Sequence, residues 1–508
     1  MLIGNIIENI EYISLHVPTG LGDIDIKSIC QDSRKADDGC IFFCRKGSLS
    51  DGHKYARQAY DRGARFFVIE HEVDLPDDAA TVTVTDSGAA LRRLSPIFYE
   101  YSPEAIRIIG ITGTKGKTTI ALSVYNIAKA NGIKVGYIGT NGVHYGDMIL
   151  ETANTTPDSP ELYSTLRDMR SSGITDVVIE VSSQALWQKR TEGLKFEICA
   201  FTNLYEDHIG GVEHPDMEHY KSCKKLLFTD YGAKNIIINS DSPSAEYMVD
   251  GAFCERIIRT SASGVDSCDI YAENIYKHKR GVRPGVAFDL LFKDKSLSEK
   301  SDCGLSAFIP IPGIYSVENG LLTIAICSLM GMSLDNILYE LSRLCIPGRF
   351  ESVELEGRPD SLFVIDYAHN GASLSAVLAS LRQYEPERII VLFGSVGGRT
   401  QVRREELGRA ADAGADVIIV TSDNPNFEDP MQVINDINAA ISNRDKQIYL
   451  IPDRAEAIKK AYDIAQSGDF ILLAGKGHES YQLVCGEKVP FSERKILEEL
   501  DSLSPSYM

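Results

Sequence analysis

Short apolar runs alternate with polar, helix-forming stretches along most of the chain. Near the N-terminus we predict strands at IDIKSI, CIFFCRKG and ARFFVIE, and a helix that starts at about Gly52. Further strands are predicted at AIRIIGIT, KVGYIG, DVVIEVSS, EICAFTNL and KNIIINS, with helical stretches between them. Strands that alternate with helices are typical of parallel sheets. The pattern therefore predicts a small α/β module followed by a doubly wound parallel sheet.

The same pattern restarts near residue 346. Strands are predicted at SLFVIDYAH, ERIIVLFGS, DVIIVTSDNP and DFILLAGKG, and helices at GRAADAGA and RAEAIKKAYDIAQ. The chain has 508 residues, and a single domain usually has roughly 150. We therefore predict an α/β protein of three domains, over residues 1–103, 104–345 and 346–508.

The charge balance limits the classes of partner. Lysine and arginine number 52 against 72 aspartate and glutamate residues, a formal net charge of -20. Such a chain does not attract nucleic acid or anionic membranes through a general basic field. The sequence therefore predicts no nucleic-acid partner, and an anionic ligand would need a local site.

Cysteine content and hydropathy indicate the cellular compartment in which the protein is expected. The 11 cysteines are odd in number and include no CxxC pair, so the sequence suggests neither a disulfide framework nor a zinc cluster. The first residues do not follow the secretory pattern, and no apolar run approaches the roughly 18 residues of a membrane span. We expect a cytoplasmic monomer with no membrane insertion.

A glycine-rich loop carries the clearest chemical signal. Residues 110–119 read GITGTKGKTT and lie between a predicted strand and a predicted helix. Such loops let backbone N–H groups face a phosphate, with Lys117 and Thr118 available to phosphate and Mg²⁺. The strict Walker pattern would place glycine at Ile111, so the loop is a variant. We predict ATP binding by Gly113, Thr114, Lys115, Gly116, Lys117, Thr118 and Thr119.

Further motifs follow this loop in a fixed order. They read TTPDS, IEVSSQAL, NLYEDHIG, IPGRFE, DYAHN, SDNPNFEDP and GKGHESYQ. Together with the loop they resemble the Mur ligase family, and within it the tripeptide-synthetase branch. The segment DSRKADDGCIFFCRKGSLSDGH resembles the part of that family that holds a UDP-sugar, so the resemblance covers nearly the whole chain. It implies a UDP-MurNAc-binding N-terminal domain, a central P-loop ATPase domain and a C-terminal Rossmann-like domain that binds the incoming amino acid.

The resemblance also implies a reaction. The carboxylate of UDP-MurNAc-L-Ala-D-Glu attacks the γ-phosphate of ATP, and the amine of a free amino acid displaces phosphate from the resulting acyl phosphate. Because two anions must approach each other, such a site needs cations and metal. The implied cofactors are ATP, Mg²⁺ and a CO₂-derived carbamate.

Several catalytic and metal-binding roles are carried over by motif. Lys117 corresponds to the phosphate lysine and Thr118 to the magnesium-binding hydroxyl. Glu180 and His208 correspond to residues that hold a second magnesium ion. Lys224 corresponds to the lysine that is carbamylated to N6-carboxylysine in this family, although the neighbouring Lys225 makes this assignment sensitive to the register.

The substrate-binding residues fall into two groups by the same resemblance. The muramoyl-dipeptide and UDP contacts correspond to Ser33, Thr155, Thr156, Ser182, Gln188 and Arg190. The nucleotide contacts of the third domain correspond to Asn319, Arg349, Asp366 and His369. A salt bridge between Arg349 and Asp366 is the structural alternative for those two residues.

The incoming amino acid is assigned to Arg399, Asp423, Asn424, Asn426, Gly475 and Glu479. Members that add meso-diaminopimelate usually read DNPR, with an arginine for the distal carboxylate, whereas this chain has Asn426 there. An unpaired buried carboxylate is costly, so a distal amine fits better and L-lysine is predicted. Diaminopimelate or another diamino acid stays the alternative.

Two further interpretations compete with this one. A related ligase, adding D-Ala-D-Ala or extending folate with glutamate, would share the loop but not all of the later motifs. A non-catalytic nucleotide-binding scaffold would be expected to lose Lys117, Glu180, His208 or Lys224, and all four are present.

Overall fold

The computed structural model describes residues 1–19, 25–47, 50–206, 209–210, 213–264, 267–293, 297, 304–398 and 400–503. The chain forms two compact units. One consists of Met1–Thr260 with Ala325–Cys327, and the other of Ser261–Ile324 with Ser328–Met508.

The first unit begins with a small α/β module. Its elements are α1 (Ile3–Ile7), β1 (Ser14–His16), β2 (Ser28–Cys30), β3 (Cys40–Phe43), α2 (Ala56–Asp61), β4 (Phe66–Ile69), β5 (Ala80–Thr83) and α3 (Ser87–Phe98). The sheet order is β1-β5-β4-β3-β2, with β2 to β5 parallel and β1 antiparallel. The predicted strands and helix are confirmed.

A larger sheet follows in the same unit. Its strands are β6 (Arg107–Thr112), β7 (Val135–Gly139), β8 (Gly142–Tyr145), β9 (Met148–Leu150), β10 (Asp176–Glu180), β11 (Phe196–Phe201), β12 (Ala233–Asn239) and β13 (Cys254–Ser261). The helices are α4 (Lys117–Ala130), α5 (Ser159–Ser171), α6 (Ser183–Trp187), α7 (Met217–Leu226) and α8 (Ala245–Val249). The order is β13-β12-β11-β6-β10-β7-β8-β9, parallel from β13 to β7.

The position of β6 explains where ligands can bind in this sheet. It lies between β10 and β11, so the loops after these three strands meet at one edge. Ligands of open α/β sheets bind outside the carboxyl ends of the strands, where the strand order reverses. Both sheets of this unit pack into one core, which includes Phe43 and Phe66 of the small module and Ile108, Val177 and Ile236 of the larger sheet.

The rest of the chain contains a further, mostly parallel sheet and several antiparallel strands. The strands of this part of the chain are β14 (Ile270–Arg280), β15 (Arg283–Phe292), β16 (Leu305–Ile309), β17 (Glu351–Val353), β18 (Leu362–Asp366), β19 (Ile389–Phe393), β20 (Val417–Val420), β21 (Gln447–Leu450), β22 (Phe470–Ala474), β23 (Tyr481–Val484) and β24 (Glu487–Pro490). The helices are α9 (Ile314–Leu329), α10 (Leu334–Leu341), α11 (Gly371–Arg382), α12 (Gln401–Gly414), α13 (Pro430–Ala439), α14 (Arg454–Ile464) and α15 (Glu493–Leu503).

The mostly parallel sheet consists of β17 to β22 in the order β17-β18-β22-β19-β20-β21, and only β17 is antiparallel. The strands predicted after residue 346 are confirmed. The three-domain α/β architecture is present, while the boundaries at residues 103 and 345 stay predictions because the compact units divide at Thr260 instead. In the part of the chain described above, no helix is long and apolar enough to cross a membrane.

Antiparallel additions were not predicted from the sequence. They are strands β8 and β9, which extend the predicted β7, the β14-β15-β16 meander and the β23-β24 hairpin. Strand β9 is exposed throughout, and β24 likewise. Exposed strands lack the continuous apolar run by which the buried parallel strands were recognised.

Candidate functional site

The phosphate loop joins β6 to α4 and is held in a tight conformation. Gly113 has φ 145°, and a Cβ there would lie 1.9 Å from Thr202 Oγ1, so no other residue fits. The Lys117 ammonium folds back and donates to the carbonyls of Gly113 (2.8 Å) and Thr114 (3.1 Å). A helix N-terminus with a lysine above it is suited to an anion.

The end of β11 braces this loop. The N–H of Thr114 donates to the carbonyl of Asn203, and the N–H of Lys115 donates to its side-chain oxygen, each at 2.9 Å. Tyr205 N–H donates to Thr114 Oγ1 (3.0 Å). Two loop N–H groups that were predicted to face an anion are thus used within the protein. Sequence reasoning quoted the motif NLYEDHIG but missed Asn203, which lies in it.

Glu180 lies at the end of β10 and is fully buried. One carboxylate oxygen accepts from Tyr137 OH (2.6 Å) and Thr140 N–H (3.0 Å), and the other accepts from Thr118 Oγ1 (2.8 Å). A Cβ at Gly139 would lie 2.2 Å from this carboxylate, so only glycine allows the approach. Tyr137 and Thr140 were not predicted from the sequence.

The chemistry of these donors fits magnesium. A carboxylate and a threonine hydroxyl are hard oxygen ligands of the kind that Mg²⁺ prefers. The structure places Thr118 and Glu180 within hydrogen-bonding distance of each other, although the resemblance assigned Glu180 to a second magnesium ion. His208, the third predicted ligand, lies outside the described residues.

Lys224 lies on α7 and is almost completely buried. Its ammonium donates to the Gly113 carbonyl (2.9 Å) and lies 4.4 Å from the centre of the Tyr220 ring. The neighbouring Lys225 instead pairs with Asp250 at 3.4 Å. Of the two lysines left open by the sequence, Lys224 is therefore the one that faces the phosphate loop.

A cavity of about 260 Å³ lies beside the loop. It is lined by Lys117, Ala153, Asn154, Thr155, Ser182, Ser183, Gln184, Arg190, Glu213, His214, Tyr220 and Lys224. Three of the lining residues are cations of Lys or Arg type and one is a carboxylate. A concave site with this balance favours anionic ligands.

The predicted dipeptide-binding residues form one hydrogen-bonded wall. Arg190 donates to Gln188 Oε1 (3.0 and 2.8 Å) and to the Thr156 carbonyl (2.9 Å), and it pairs with Asp158 at 3.0 Å. Burial lowers the pKa of Arg190, and Asp158 opposes that shift. Ser182 N–H donates to Thr156 Oγ1 (3.0 Å).

Two remaining members of this predicted group differ in position. Thr155 lines the cavity and hydrogen-bonds to Thr140 (3.1 Å), which links it to Glu180. Ser33 does not line the cavity; it is buried in the small module and donates to Gln58 (2.8 Å). The role of Ser33 stays a prediction.

The second unit carries the other predicted nucleotide contacts. Asp366 accepts from Phe350 N–H (2.7 Å) and Ala368 N–H (2.8 Å), and burial raises its pKa. Among the described ion pairs none joins Asp366 to Arg349, whose guanidinium lies 4.9 Å from the Tyr367 ring centre. The alternative of an Arg349–Asp366 salt bridge is therefore wrong, because backbone amides hold that carboxylate.

His369 and Asn319 also lie in this unit. His369 Nδ1 lies 2.8 Å from the Tyr367 carbonyl, and burial lowers the pKa of its ring. Asn319 is half-buried on α9, where its carbonyl accepts from Thr323 Oγ1 (2.8 Å). Their contacts with a nucleotide stay predictions.

The residues assigned to the amino acid surround a buried lysine. Lys476 is fully buried and donates to Asn424 Oδ1 (2.8 Å) and Glu479 Oε2 (2.7 Å), with Asp423 Oδ1 at 3.5 Å. Gly475, with φ 109°, donates its N–H to the Asp366 carbonyl (3.0 Å). The groups proposed to bind a substrate ammonium thus already contact an ammonium of the protein. Sequence reasoning missed Lys476, although GKGHE contains it.

Asn426 performs a local structural task. It has φ 54°, in the left-handed region that asparagine tolerates, and its side-chain oxygen accepts from Gly486 N–H (2.9 Å). Its own N–H donates to the Leu483 carbonyl (2.9 Å). Asn426 therefore ties the loop after β20 to the β23-β24 hairpin. Arg399 lies outside the described residues.

Comparison with known proteins decides the family. The Mur ligase family catalytic domain matches residues 25–99, the Mur ligase middle domain residues 111–327, and the Mur ligase glutamate ligase domain residues 348–477. A Clostridium botulinum protein named UDP-N-acetylmuramoyl-L-alanyl-D-glutamate–2,6-diaminopimelate ligase is 38% identical over 483 residues, covering 94% of this chain and 95% of that protein. The chain belongs to the Mur ligase family. Its predicted membership is confirmed.

Other Mur ligases agree with this assignment. A Geobacillus thermodenitrificans protein of the same name is 36% identical over 94% of each chain. A solved structure of a ligase of that name covers 99% of each chain at 27% identity with a TM-score of 0.67. A Thermotoga maritima MurF ligase in complex with ADP, at 17% identity and a TM-score of 0.58 over 89% of this chain and 94% of that one, shows the fold alone.

Proposed function

We propose that this Mur ligase joins a diamino acid to the D-Glu of UDP-MurNAc-L-Ala-D-Glu with consumption of ATP, through an acyl phosphate. The observation that carries this proposal is the cavity beside the phosphate loop, lined by Lys117, Arg190 and Lys224. Lys117 and Arg190 supply the positive charge that a reaction between a carboxylate and a phosphate needs, and Lys224 lies beside them. The names of the relatives support the same substrate.

The residues that line the cavity have distinct roles in this reaction. Lys117 and the N-terminus of α4 bind the phosphates of ATP and stabilise the charge on the transferred group. Arg190, oriented by Asp158 and Gln188, offers a bidentate donor to the substrate carboxylate. Thr155 and Ser182 line the cavity beside Arg190 and hydrogen-bond the rest of the dipeptide.

Thr118, Glu180 and Lys224 are the described residues that would hold magnesium, Lys224 as a carbamate. Bound there, Mg²⁺ supplies positive charge that offsets the repulsion between the two anions. A carbamate converts the buried Lys224 amine into an oxygen ligand and needs only CO₂ and the neutral amine. Tyr137 and Thr140 keep the Glu180 carboxylate in a fixed orientation through their hydrogen bonds.

L-Lysine is the amino acid that we propose. The cluster of Asp423, Glu479 and Lys476 holds two carboxylates and one ammonium, which leaves one negative charge for a further cation. Asn426 offers no guanidinium for a distal carboxylate. Diaminopimelate is the second candidate, and the observation in its favour is the name shared by the Clostridium and Geobacillus relatives.

Phosphate release tests both parts of the proposal. The protein is incubated with ATP, Mg²⁺ and UDP-MurNAc-L-Ala-D-Glu, and then with L-lysine, meso-diaminopimelate or L-ornithine in parallel, each product being identified by mass. We expect lysine-dependent release. Preference for diaminopimelate would keep the ligase and overturn the lysine assignment, and no turnover with any amino acid would overturn the proposed acceptor.

A further inference from the structure

Two histidine side chains and one cysteine side chain meet at the edge of the cavity. His214 precedes α7, and His219 and Cys223 lie one turn apart on it, four residues from each other and so on one face. One ligand atom from each lies within 4.8 Å of those of the other two. His214 and Cys223 are buried, and His219 is half-buried. The ligase mechanism uses none of the three.

The distances suit one tetrahedral ion. His214 Nδ1 lies 2.9 Å from His219 Nδ1, and Cys223 Sγ lies 3.8 Å from that same nitrogen. Around tetrahedral zinc, two nitrogen ligands lie roughly 3.3 Å apart, and nitrogen and sulfur roughly 3.6 Å. Movements of about half an ångström would therefore admit the ion.

The surroundings orient the first of these ligands. His214 Nε2 lies 2.9 Å from Ser183 Oγ, so a ring that donates there presents its Nδ1 lone pair to His219. Metal-binding histidines typically use the second ring nitrogen for such a hydrogen bond. Asp216 caps α7 by accepting from His219 N–H (2.7 Å), which fixes the first turn of the helix beneath the histidine.

We propose that His214, His219 and Cys223 form a binding site for one divalent ion of the zinc type. Two imidazoles and a thiolate select borderline-soft ions over Mg²⁺. On binding, the thiol and any imidazole proton between the two Nδ1 atoms are released to solvent. With these three ligands from the described part of the chain, the fourth tetrahedral position is available to water or to a group in the cavity, which His214 lines.

A second cluster, Asp51, His53 and His71, offers the natural comparison. Both ring nitrogens of His53 already have partners, Asp51 on Nδ1 (2.6 Å) and Glu70 N–H on Nε2 (2.9 Å). This second cluster also contains no cysteine sulfur. A sulfur-specific signal therefore distinguishes the two clusters.

Cobalt titration of the full-length protein tests the site. Co²⁺ alone is added to metal-free protein, without ATP or sugar nucleotide, and the thiolate-to-cobalt charge-transfer absorption is recorded. We expect one equivalent to give this absorption. Excess Mg²⁺ should leave it unchanged. Cys223→Ser should abolish it, and His219→Gln should weaken cobalt binding by at least roughly tenfold.

The matched controls are Cys345→Ser, which removes an exposed thiol, and His71→Gln, which alters the second cluster. Both should behave as the unaltered protein does. Absence of the absorption, its survival in Cys223→Ser, its loss in Cys345→Ser or its displacement by Mg²⁺ would each overturn the site. Because no ligase substrate is present, the result is independent of the proposed function.

Discussion

The cavity beside the phosphate loop and the charge cluster around Lys476 differ in the partners of their lysine side chains. In the cavity, the side chains of Lys117 and Lys224 both donate to the Gly113 carbonyl, so two amine groups converge on the phosphate loop. In the cluster, Lys476 contacts Asp423 and Glu479 directly, and most of the charge is offset within the protein. The first region thus brings cationic side chains to a cavity, whereas the second surrounds its lysine with carboxylates.

The largest effect is expected in the cavity. Lys117→Ala removes a cation that faces the transferred phosphate, and we expect ligation to fall by roughly 10²–10³-fold. Phosphate release under saturating substrates measures it. Lys129→Ala, at the other end of α4, is the matched control and should retain activity. Near-normal turnover in Lys117→Ala would contradict the assignment of the ATP site.

Lys224→Ala tests the same cavity through the loss of a different amine. It removes the amine that would carry the carbamate, so ligation should fall by roughly tenfold or more. Acetate or formate should restore part of the activity by supplying the missing oxygen ligand. Lys225→Ala, which loses the pair with Asp250 and the contact with the Tyr247 ring, is the control. Equal effects of the two variants, or no rescue, would argue against carbamylation at Lys224.

Asn426→Arg tests the proposed amino-acid specificity of the second region. The guanidinium offers a charge-assisted hydrogen bond to a distal carboxylate, which contributes about 1.5–3 kcal/mol. The ratio of kcat/KM for diaminopimelate to that for lysine should therefore rise by roughly tenfold. Asn426→Gln, which loses the local geometry without adding charge, is the control. An unchanged ratio would mean that specificity is set at other residues.

The smallest effect concerns acid stability in the second region. Burial lowers the pKa of His478 from its ordinary 6.5 to about 4. Above pH 6.5 the ring is neutral in both the folded and the unfolded chain. As the pH falls from 6.5 towards about 4, the unfolded chain takes up this proton first, and the folded state is progressively destabilised.

Replacing His478 by Gln should remove this loss. The variant should lose roughly 1–3 kcal/mol less stability than the unaltered protein over that interval. Urea unfolding at several pH values measures the difference. His16→Gln, at an exposed position, is the control. Parallel pH profiles for His478→Gln and the unaltered protein would exclude this role for His478.

Much of the fold was predictable because its central strands are buried on both faces. Strands such as β19 and β22 consist entirely of buried apolar residues, which gives a continuous signal in the sequence. The phosphate loop was predictable for a related reason, since Gly113 and Lys117 are required by local geometry. The hydrogen bonds to the Glu180 carboxylate were not predictable, because Tyr137 and Thr140 reach it from a different strand and loop.

The sequence by itself determined the α/β order, the phosphate loop and the family, since these depend on local periodicity and on motifs of fixed spacing. Only the tertiary structure decided which of Lys224 and Lys225 faces the loop, and that Lys476 already lies among the carboxylates of the amino-acid cluster. Those outcomes depend on contacts between residues far apart in the chain. Burial and charge pairing are properties of that packing, so no single segment specifies them.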